Sequence, residues 1–206
     1  MTASAPPLRA KGRRARMQRE RILASAKQCF IEHGFHAASM AKIAEAAGMS
    51  AGLVYRYVDN KSAIVRAIIE EQLEKIRGDI ATLGADSDLA QRTLAHVDLW
   101  RAADPDTVNP ALVLEMSAEA TRDPTIAQAI GTSDRQTREA LVDWLSRPPA
   151  AGGLGLDRET AAARALLVQC LFDGLAVRTV REPDLDRGEL ERAIRAFFSG
   201  LFVPAP

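Results

Sequence analysis

Apolar residues recur along almost the whole chain at intervals of three and four positions, the spacing of one face of an α-helix. They hardly ever alternate with polar residues as they would in a strand. The pattern therefore predicts an all-α fold of about nine helices. These helices are expected at about 13–33, 40–47, 51–57, 61–83, 88–103, 110–121, 124–146, 157–181 and 186–202.

Capping residues stand at the ends of the first four predicted helices. Ser39, Ser50 and Asn60 are placed to accept a backbone hydrogen bond at a helix N-terminus. Gly34 and Gly48 are placed to end a helix, because glycine reaches the left-handed conformation that a C-cap often needs. These signals favour short helices separated by sharp turns.

Two short helices joined by a tight turn occupy residues 39–57. The turn is Gly48-Met49-Ser50, and Ala44 is small where two steeply crossing helices must touch. This spacing is typical of a helix-turn-helix; an ordinary helical hairpin is the alternative. The residues expected to close a small core over the first helix are Ile43, Ala47, Met49 and Val54.

Charge is distributed unevenly, although the formal net charge is zero. Residues 1–61 contain 11 basic and 4 acidic side chains, whereas the remainder contains 16 basic and 23 acidic ones. A basic segment followed by an acidic one indicates a part that binds a polyanion and a part that binds something else. A merely basic surface helix is the alternative.

We expect a disordered arm at 1–12, a DNA-binding domain at 13–60 and a helical domain at 61–206, with a Pro- and Gly-rich loop at 147–155.

The second helix of a helix-turn-helix meets base edges in the major groove through its N-terminal part. Small residues there allow the backbone to approach DNA, and a long side chain such as Arg56 can bind guanine with two hydrogen bonds. Tyrosine hydroxyls can donate to phosphates, although Tyr55 could instead be a core ring. The candidate DNA-binding residues are Arg13, Arg14, Ser39, Lys42, Ser50, Ala51, Gly52, Tyr55, Arg56, Tyr57 and Lys61.

Lys61 stands at the first position of its predicted helix, where a cation opposes the helix dipole by roughly 0.3–1 kcal/mol. A phosphate at that N-terminus would favour both the lysine and the free backbone amides. We therefore interpret Lys61 as a phosphate contact; a solvated lysine is the alternative.

The stretch from Ile22 to Ile68 resembles the DNA-binding domain of the TetR family of transcriptional regulators. The matching pattern is Ile22-Leu23, Ala26, Phe30, Gly34-Phe35, Ser39-Met40, Ile43-Ala44, Ala47-Gly48-Met49-Ser50, Gly52, Val54-Tyr55, Tyr57, Lys61 and Ile64. The resemblance implies base reading from the third helix and phosphate contacts at Ser39, Tyr55, Tyr57 and Lys61. It also implies a homodimer on a palindromic double-stranded operator and, usually, repression that a ligand relieves.

The rest of the chain resembles the family in outline, mainly at 115–124 and 172–176. In this family the last two helices of two subunits form the dimer interface, although a protomer core would use the same residues. The residues expected at that interface are Leu167, Leu171, Leu175, Ile194, Phe197, Phe198 and Leu201.

The family resemblance also places a ligand among the helices of the second domain. The candidate ligand-binding residues are Trp100, Leu112, Glu115, Met116, Glu119, Trp144, Gln169, Phe172 and Asp173. Their composition suits a small, mostly apolar effector, although each could instead be plain core. A buried glutamate would favour a cationic ligand or, in the alternative we prefer, pair with an arginine such as Arg178 or lie on a solvated rim.

An enzyme is the main competing class. The three histidines, His33, His36 and His96, lack metal-like spacing, and no nucleophile–base pair is visible, so we predict neither catalysis nor a cofactor. Cys29 and Cys170 are expected to be reduced core thiols of a cytoplasmic protein. The sequence contains no apolar run of 18 or more residues, so we predict no membrane-spanning helix. A DNA-binding regulator without a small-molecule effector, acting through protein contacts or as an activator, is the alternative function.

Overall fold

The computed structural model describes residues 8–104 and 107–201, with side chains from residue 13 onwards. Within these ranges the chain forms nine α-helices and no strand, which confirms the all-α prediction. The helices are α1 (Leu8–Ala37), α2 (Met40–Ala46), α3 (Ala51–Val54), α4 (Lys61–Ala81), α5 (Leu89–Arg101), α6 (Pro110–Ala120), α7 (Pro124–Ser146), α8 (Arg158–Arg181) and α9 (Arg187–Leu201).

Helix α1 begins at Leu8, so residues 8–12 are helical where a disordered arm was expected; the rest of that arm lies outside the described residues. The helix is interrupted at Gly34, where φ is 73° and ψ is 163°. Glycine adopts this backbone conformation without the steric penalty of a Cβ atom. The sequence thus located the break correctly, but a last helical turn follows it as far as Ala37.

Two compact units divide the chain. The first unit comprises the described residues up to Glu71 together with Glu115–Ala129, and the second comprises Gln72–Leu114 and the described residues from Ile130 onwards. All three boundaries fall inside helices: the one after Glu71 lies in α4, the one after Leu114 in α6 and the one after Ala129 in α7.

The core of the first unit forms where α1 to α4 bury their apolar faces. Residues three, four and seven positions apart on α1 point inward together, as the helical period requires. The buried side chains of these helices include Ile22, Ala26, Cys29, Phe30, Ile43, Ala44, Ala47, Val54, Ile64 and Ile68. Burying each large aliphatic or aromatic side chain stabilises the fold by roughly 1.5–3 kcal/mol.

Helices α5, α7, α8 and α9 supply the core of the second unit, whose members include Leu94, Trp100, Trp144, Leu145 and Ile194. The loop after α7 is fixed to this core. The indole N–H of Trp144 donates to the carbonyl of Gly152 over 3.2 Å. A Cβ atom on Gly153 would overlap the Arg147 carbonyl, so only glycine fits there. A short 3₁₀ turn, Pro149–Ala151, lies within this predicted loop.

Candidate nucleic-acid interface and ligand-binding residues

The helix-turn-helix is built by the capping chemistry that the sequence indicated. The Ser39 hydroxyl accepts from the Lys42 amide over 3.2 Å, and the Ser50 hydroxyl accepts from the Leu53 amide over 3.3 Å. Between the two helices Gly48 has a φ of 58°, and its amide donates to the Glu45 carbonyl. The caps use an acceptor lone pair of each serine, so both O–H groups stay available as donors to a phosphate.

Helix α3 is shorter than predicted. It ends at Val54, and the chain continues in a tightened turn in which the Arg56 amide donates to Leu53 and the Tyr57 amide to Val54. Such i→i+3 bonds often finish a helix. Arg56 therefore lies just beyond α3 rather than within it, and its side chain is exposed.

Most of the predicted DNA-binding residues lie on the surface of the first unit. Tyr55 is 52% exposed, which excludes the alternative of a core ring. Tyr57 and Lys61 are half-buried. The exposed members are Arg13, Arg14, Ser39, Lys42, Ser50, Ala51, Gly52, Tyr55 and Arg56.

Lys61 has a partner that the sequence did not suggest. Its ammonium donates to the Phe35 carbonyl over 2.7 Å and lies 4.3 Å from the centre of the Phe35 ring. Burial lowers the pKa of Lys61, while the charge of Glu119 raises it. The lysine thus binds the end of α1 within its own chain, and a phosphate contact would have to use the remaining N–H donors.

Arg21 is a candidate that sequence reasoning missed. Its guanidinium lies over the turn, so close that a Cβ atom on Gly48 would come within 2.7 Å of Nη2. The side chain is exposed. Its seven-residue spacing from Arg14 on α1 was the available signal, because such residues share a helix face.

The two candidate ligand-binding glutamates instead contact DNA-binding helices within the first unit. Glu115 Oε2 accepts from the Phe35 amide over 3.0 Å, and Glu119 Oε2 lies 3.2 Å from His36 Nε2. Glu119 is only 6% exposed. The expected pairing with Arg178 is wrong, because that arginine pairs with Glu182. Met116, between the two glutamates, is buried.

Three aromatic rings meet in the second unit. His96 and Phe172 both approach Trp100 edge to face, with ring centres 4.7 and 6.4 Å away. Trp100 is 8% exposed, and its indole N–H has no hydrogen-bond partner among the described residues. Burial lowers the pKa of His96 and so favours the neutral ring, although the charge of Asp79 acts in the opposite direction. This aromatic trio combines an apolar surface with an unsatisfied donor.

The remaining ligand candidates of the second unit lie in different surroundings. Arg138 Nε donates to the side-chain oxygen Oε1 of Gln169 over 2.7 Å, and the side-chain Nε2 of Gln169 donates to the backbone carbonyl of Asp134. Desolvation raises the pKa of Asp173. Leu112 is buried, and Trp144 lines a surface depression of about 310 Å³ together with Asp88, Leu89, Leu154, Arg195 and Phe198. The structure thus does not gather the nine candidates around that depression.

The predicted dimer residues divide between the surface and the interior. Leu167 is 49% exposed, and Leu171 and Phe197 are half-buried. Leu175, Ile194, Phe198 and Leu201 lie in the core of the second unit, where the protomer itself covers them. On α8 the exposed apolar residues are instead Ala162, Ala163, Leu166, Leu167, Cys170 and Val180.

In the middle of helix α8, from Ala161 to Leu171, apolar residues stand on both the covered and the exposed face. Among the described residues it is the one helix long and apolar enough to span a membrane by length and composition, although a core or interface helix meets the same test. Cys170 on this helix is exposed, which corrects the expectation of two core thiols, whereas Cys29 is buried. Both cysteines are free, and burial raises the pKa of the Cys29 thiol.

A helix-turn-helix with an exposed, basic surface defines a DNA-binding protein. The family model for bacterial regulatory proteins of the tetR family matches residues 22–68, and the model for the C-terminal part of BetI-type transcriptional repressors matches residues 89–203, more than half of the chain. This chain belongs to the TetR family of transcriptional regulators.

Curated and solved relatives agree with the family models. The regulator UidR of Escherichia coli is 27% identical over 196 residues, which cover 92% of this chain and 95% of UidR. The repressor Rv1474c of Mycobacterium tuberculosis is 26% identical and covers 82% of this chain and 86% of its own. The structure of GusR from Salmonella enterica matches 89% of this chain and 94% of GusR, with a TM-score of 0.70 and 26% identity. UidR and Rv1474c are helix-turn-helix transcriptional regulators, and Rv1474c is a repressor.

Proposed function

We propose that this chain is a homodimeric repressor that binds a palindromic operator and leaves it when a small, mostly apolar molecule binds. The observation that carries the proposal is the capped α2–turn–α3 pair, whose reading end is exposed. Because its target is the bacterial genome, we place the protein in the cytoplasm.

Each part of the exposed surface has a different role toward DNA. Ser50, Ala51 and Gly52 begin α3, where small side chains let the backbone reach the groove. Arg56 reads a base, and Tyr55 donates its hydroxyl to a phosphate. The remaining contacts, to phosphates, come from Arg13, Arg14, Ser39, Lys42, Tyr57 and the free donors of Lys61.

The exposed apolar face of α8 supports a dimer. Leu166, Leu167 and Cys170 leave apolar surface in water on a helix whose other face is already buried. A second copy covers this surface with the same residues, because most homodimers have two-fold symmetry. Two-fold symmetry presents one helix-turn-helix to each half of a palindrome, with half-sites about 34–36 Å apart.

The aromatic trio of the second unit supports a ligand response. Trp100 and Phe172 offer apolar ring surface, and the unpartnered indole N–H offers a donor to an acceptor group of the ligand. A buried donor without a partner costs roughly 1–3 kcal/mol, which a ligand acceptor would recover.

The test is binding to fragmented genomic duplexes under a salt titration. We expect the wild type to enrich a palindrome, Arg56→Ala to relax its preference at one position of each half-site, and Arg14→Ala to weaken all sites alike while lowering the salt slope by about one. Arg147→Ala, in the exposed loop after α7, is the matched control and should change neither. Enrichment without a palindrome, or none at any salt, would refute the proposal.

A further inference from the structure

The corner between α1 and α2 is held by residues far away in the sequence. The helical geometry of α1 breaks at Gly34, and the amide of the next residue, Phe35, donates to the Glu115 carboxylate over 3.0 Å. The carbonyl of the same residue accepts from Lys61 over 2.7 Å. Side chains from α6 and α4 therefore hold both polar groups of Phe35.

Glu115 fits closely against this corner. A Cβ atom on Gly34 would lie 3.3 Å from Glu115 Oε2, and the φ of 73° at Gly34 disfavours any other residue. The hydrogen bond, the close approach and the backbone conformation thus specify one arrangement. A hydrogen bond to a charged acceptor is roughly twice as strong as a neutral one.

Glu119 lies one helical turn further along α6 and contacts the same segment. Its side chain is almost fully buried, and its carboxylate lies 3.2 Å from the exposed His36 and favours the charged form of Lys61. A buried carboxylate is unstable without such partners. Losing the corner would leave this charge unpaired, so the contact favours two discrete states over a gradual change.

We propose that Glu115 and Glu119 are positioning residues that hold the α1–α2 corner, and with it the helix-turn-helix, in the arrangement that binds DNA. This inference rests on the proposed operator binding in one respect: the affinity for DNA is the property that the corner contact sets. Because a hydrogen bond weakens steeply beyond about 3.5 Å, a shift of α6 by roughly 1 Å would break the 3.0 Å contact.

The position of α6 in the chain suits this role. Its first residues, Pro110–Leu114, belong to the second unit, and Glu115–Ala120 belong to the first. Glu115 thus follows directly after Leu114, where the first segment of the second unit ends. A further contact joins α4 to the start of α7. The Ser62 hydroxyl donates over 2.7 Å to the carboxylate of Asp123, the residue directly before α7.

The experiment compares variants of the full chain on the palindrome that the wild type enriches. Glu115→Met removes the acceptor, Glu115→Asp keeps the charge but shortens the reach, and Glu115→Gln keeps an acceptor at the same distance. We expect about ten-fold weaker binding for Met and Asp, and near wild-type binding for Gln. Amide hydrogen exchange at Phe35 should be fast in the first two and slow in Gln.

The control is Glu139→Met, on an exposed position of α7. Removing any negative charge slightly favours DNA binding, so electrostatics alone predicts tighter binding for Glu139→Met and Glu115→Met alike. The positioning role predicts the opposite for Glu115→Met only. Should that variant fail to fold, Glu115→Asp against Glu115→Gln decides.

The outcomes separate this inference from the proposed function. If the wild type enriches no duplex, the proposed function fails. If it does, and Glu115→Asp binds as tightly as Glu115→Gln with a protected Phe35 amide, the positioning role is wrong. If affinity falls in Asp and recovers in Gln, the corner contact sets DNA affinity.

Discussion

Replacing Gly52 by alanine should raise the stability of the protein and lower its affinity for DNA. Gly52 lies in the first turn of α3, is exposed, and an added Cβ atom would have no neighbour within 4 Å. Gly52→Ala should therefore stabilise the protein by about 0.5–1 kcal/mol, because alanine loses less backbone entropy on folding. For a chain of this size, about 1 kcal/mol raises Tm by roughly 2–4 °C.

DNA binding should change in the opposite direction. If α3 enters the major groove by its N-terminus, the new methyl group stands where the backbone must approach the duplex. Losing one good base contact at roughly 1–3 kcal/mol weakens binding by about 5- to 150-fold. The assay pairs thermal unfolding with fluorescence anisotropy on the enriched duplex.

Gly78→Ala is the matched control, because Gly78 is also exposed, helical and free of neighbours within 4 Å, but lies late in α4. It should raise Tm by a similar amount and leave DNA affinity unchanged. Wild-type affinity in Gly52→Ala would refute the close approach of α3 to DNA. An equal loss of affinity in Gly78→Ala would refute the assignment of that loss to the reading helix.

Three further outcomes are expected. Leu167→Arg should convert the dimer to a monomer, as measured by light scattering, and should make Cys170 react with a thiol reagent that it resists in the wild type. Leu99→Arg, at an exposed position of α5, is the control and should have neither effect. Burial lowers the pKa of His96, so the unfolded chain binds that proton more tightly, and the free energy of unfolding falls as pH drops through the ordinary value of 6.5. His96→Gln should reduce this fall, measured by urea titrations at about pH 7 and 5. An unchanged difference in the free energy of unfolding between the two pH values would contradict the prediction. Trp100→Phe and Trp144→Phe both remove buried aromatic volume and should lower Tm. Because the indole N–H of Trp100 has no partner among the described residues, whereas that of Trp144 donates to Gly152, Trp100→Phe should lower Tm less in a thermal scan, and an equal or larger drop would contradict this.

Local chemistry was readable from the sequence. Ser39, Ser50 and Asn60 accept hydrogen bonds from amides three residues ahead, as their positions predicted. Gly48 adopts the predicted left-handed conformation. These features depend on neighbours within one turn of the chain, so a sequence pattern contains nearly all the information they need.

Contacts between distant residues were not readable. Glu115 reaches the Phe35 amide across 80 residues of sequence, and Lys61 reaches its carbonyl across 26. Helical period placed Glu115 beside an apolar face but could not say what that face meets. The prediction that Cys170 is buried failed for a related reason. Around Cys170 apolar residues stand on both the covered and the exposed face of α8, so periodicity cannot tell the two faces apart.

The division of the chain also limits how such regulators can be recombined. The backbone passes between the two compact units after Glu71, Leu114 and Ala129, and each passage lies inside a helix. A chimera joined at a single point, in the loop before α4 or within that helix, would separate the DNA-reading head from the 115–129 segment that completes it. Exchanging heads between homologues therefore requires transplanting two segments together, and so natural shuffling of the two halves by one crossover is disfavoured.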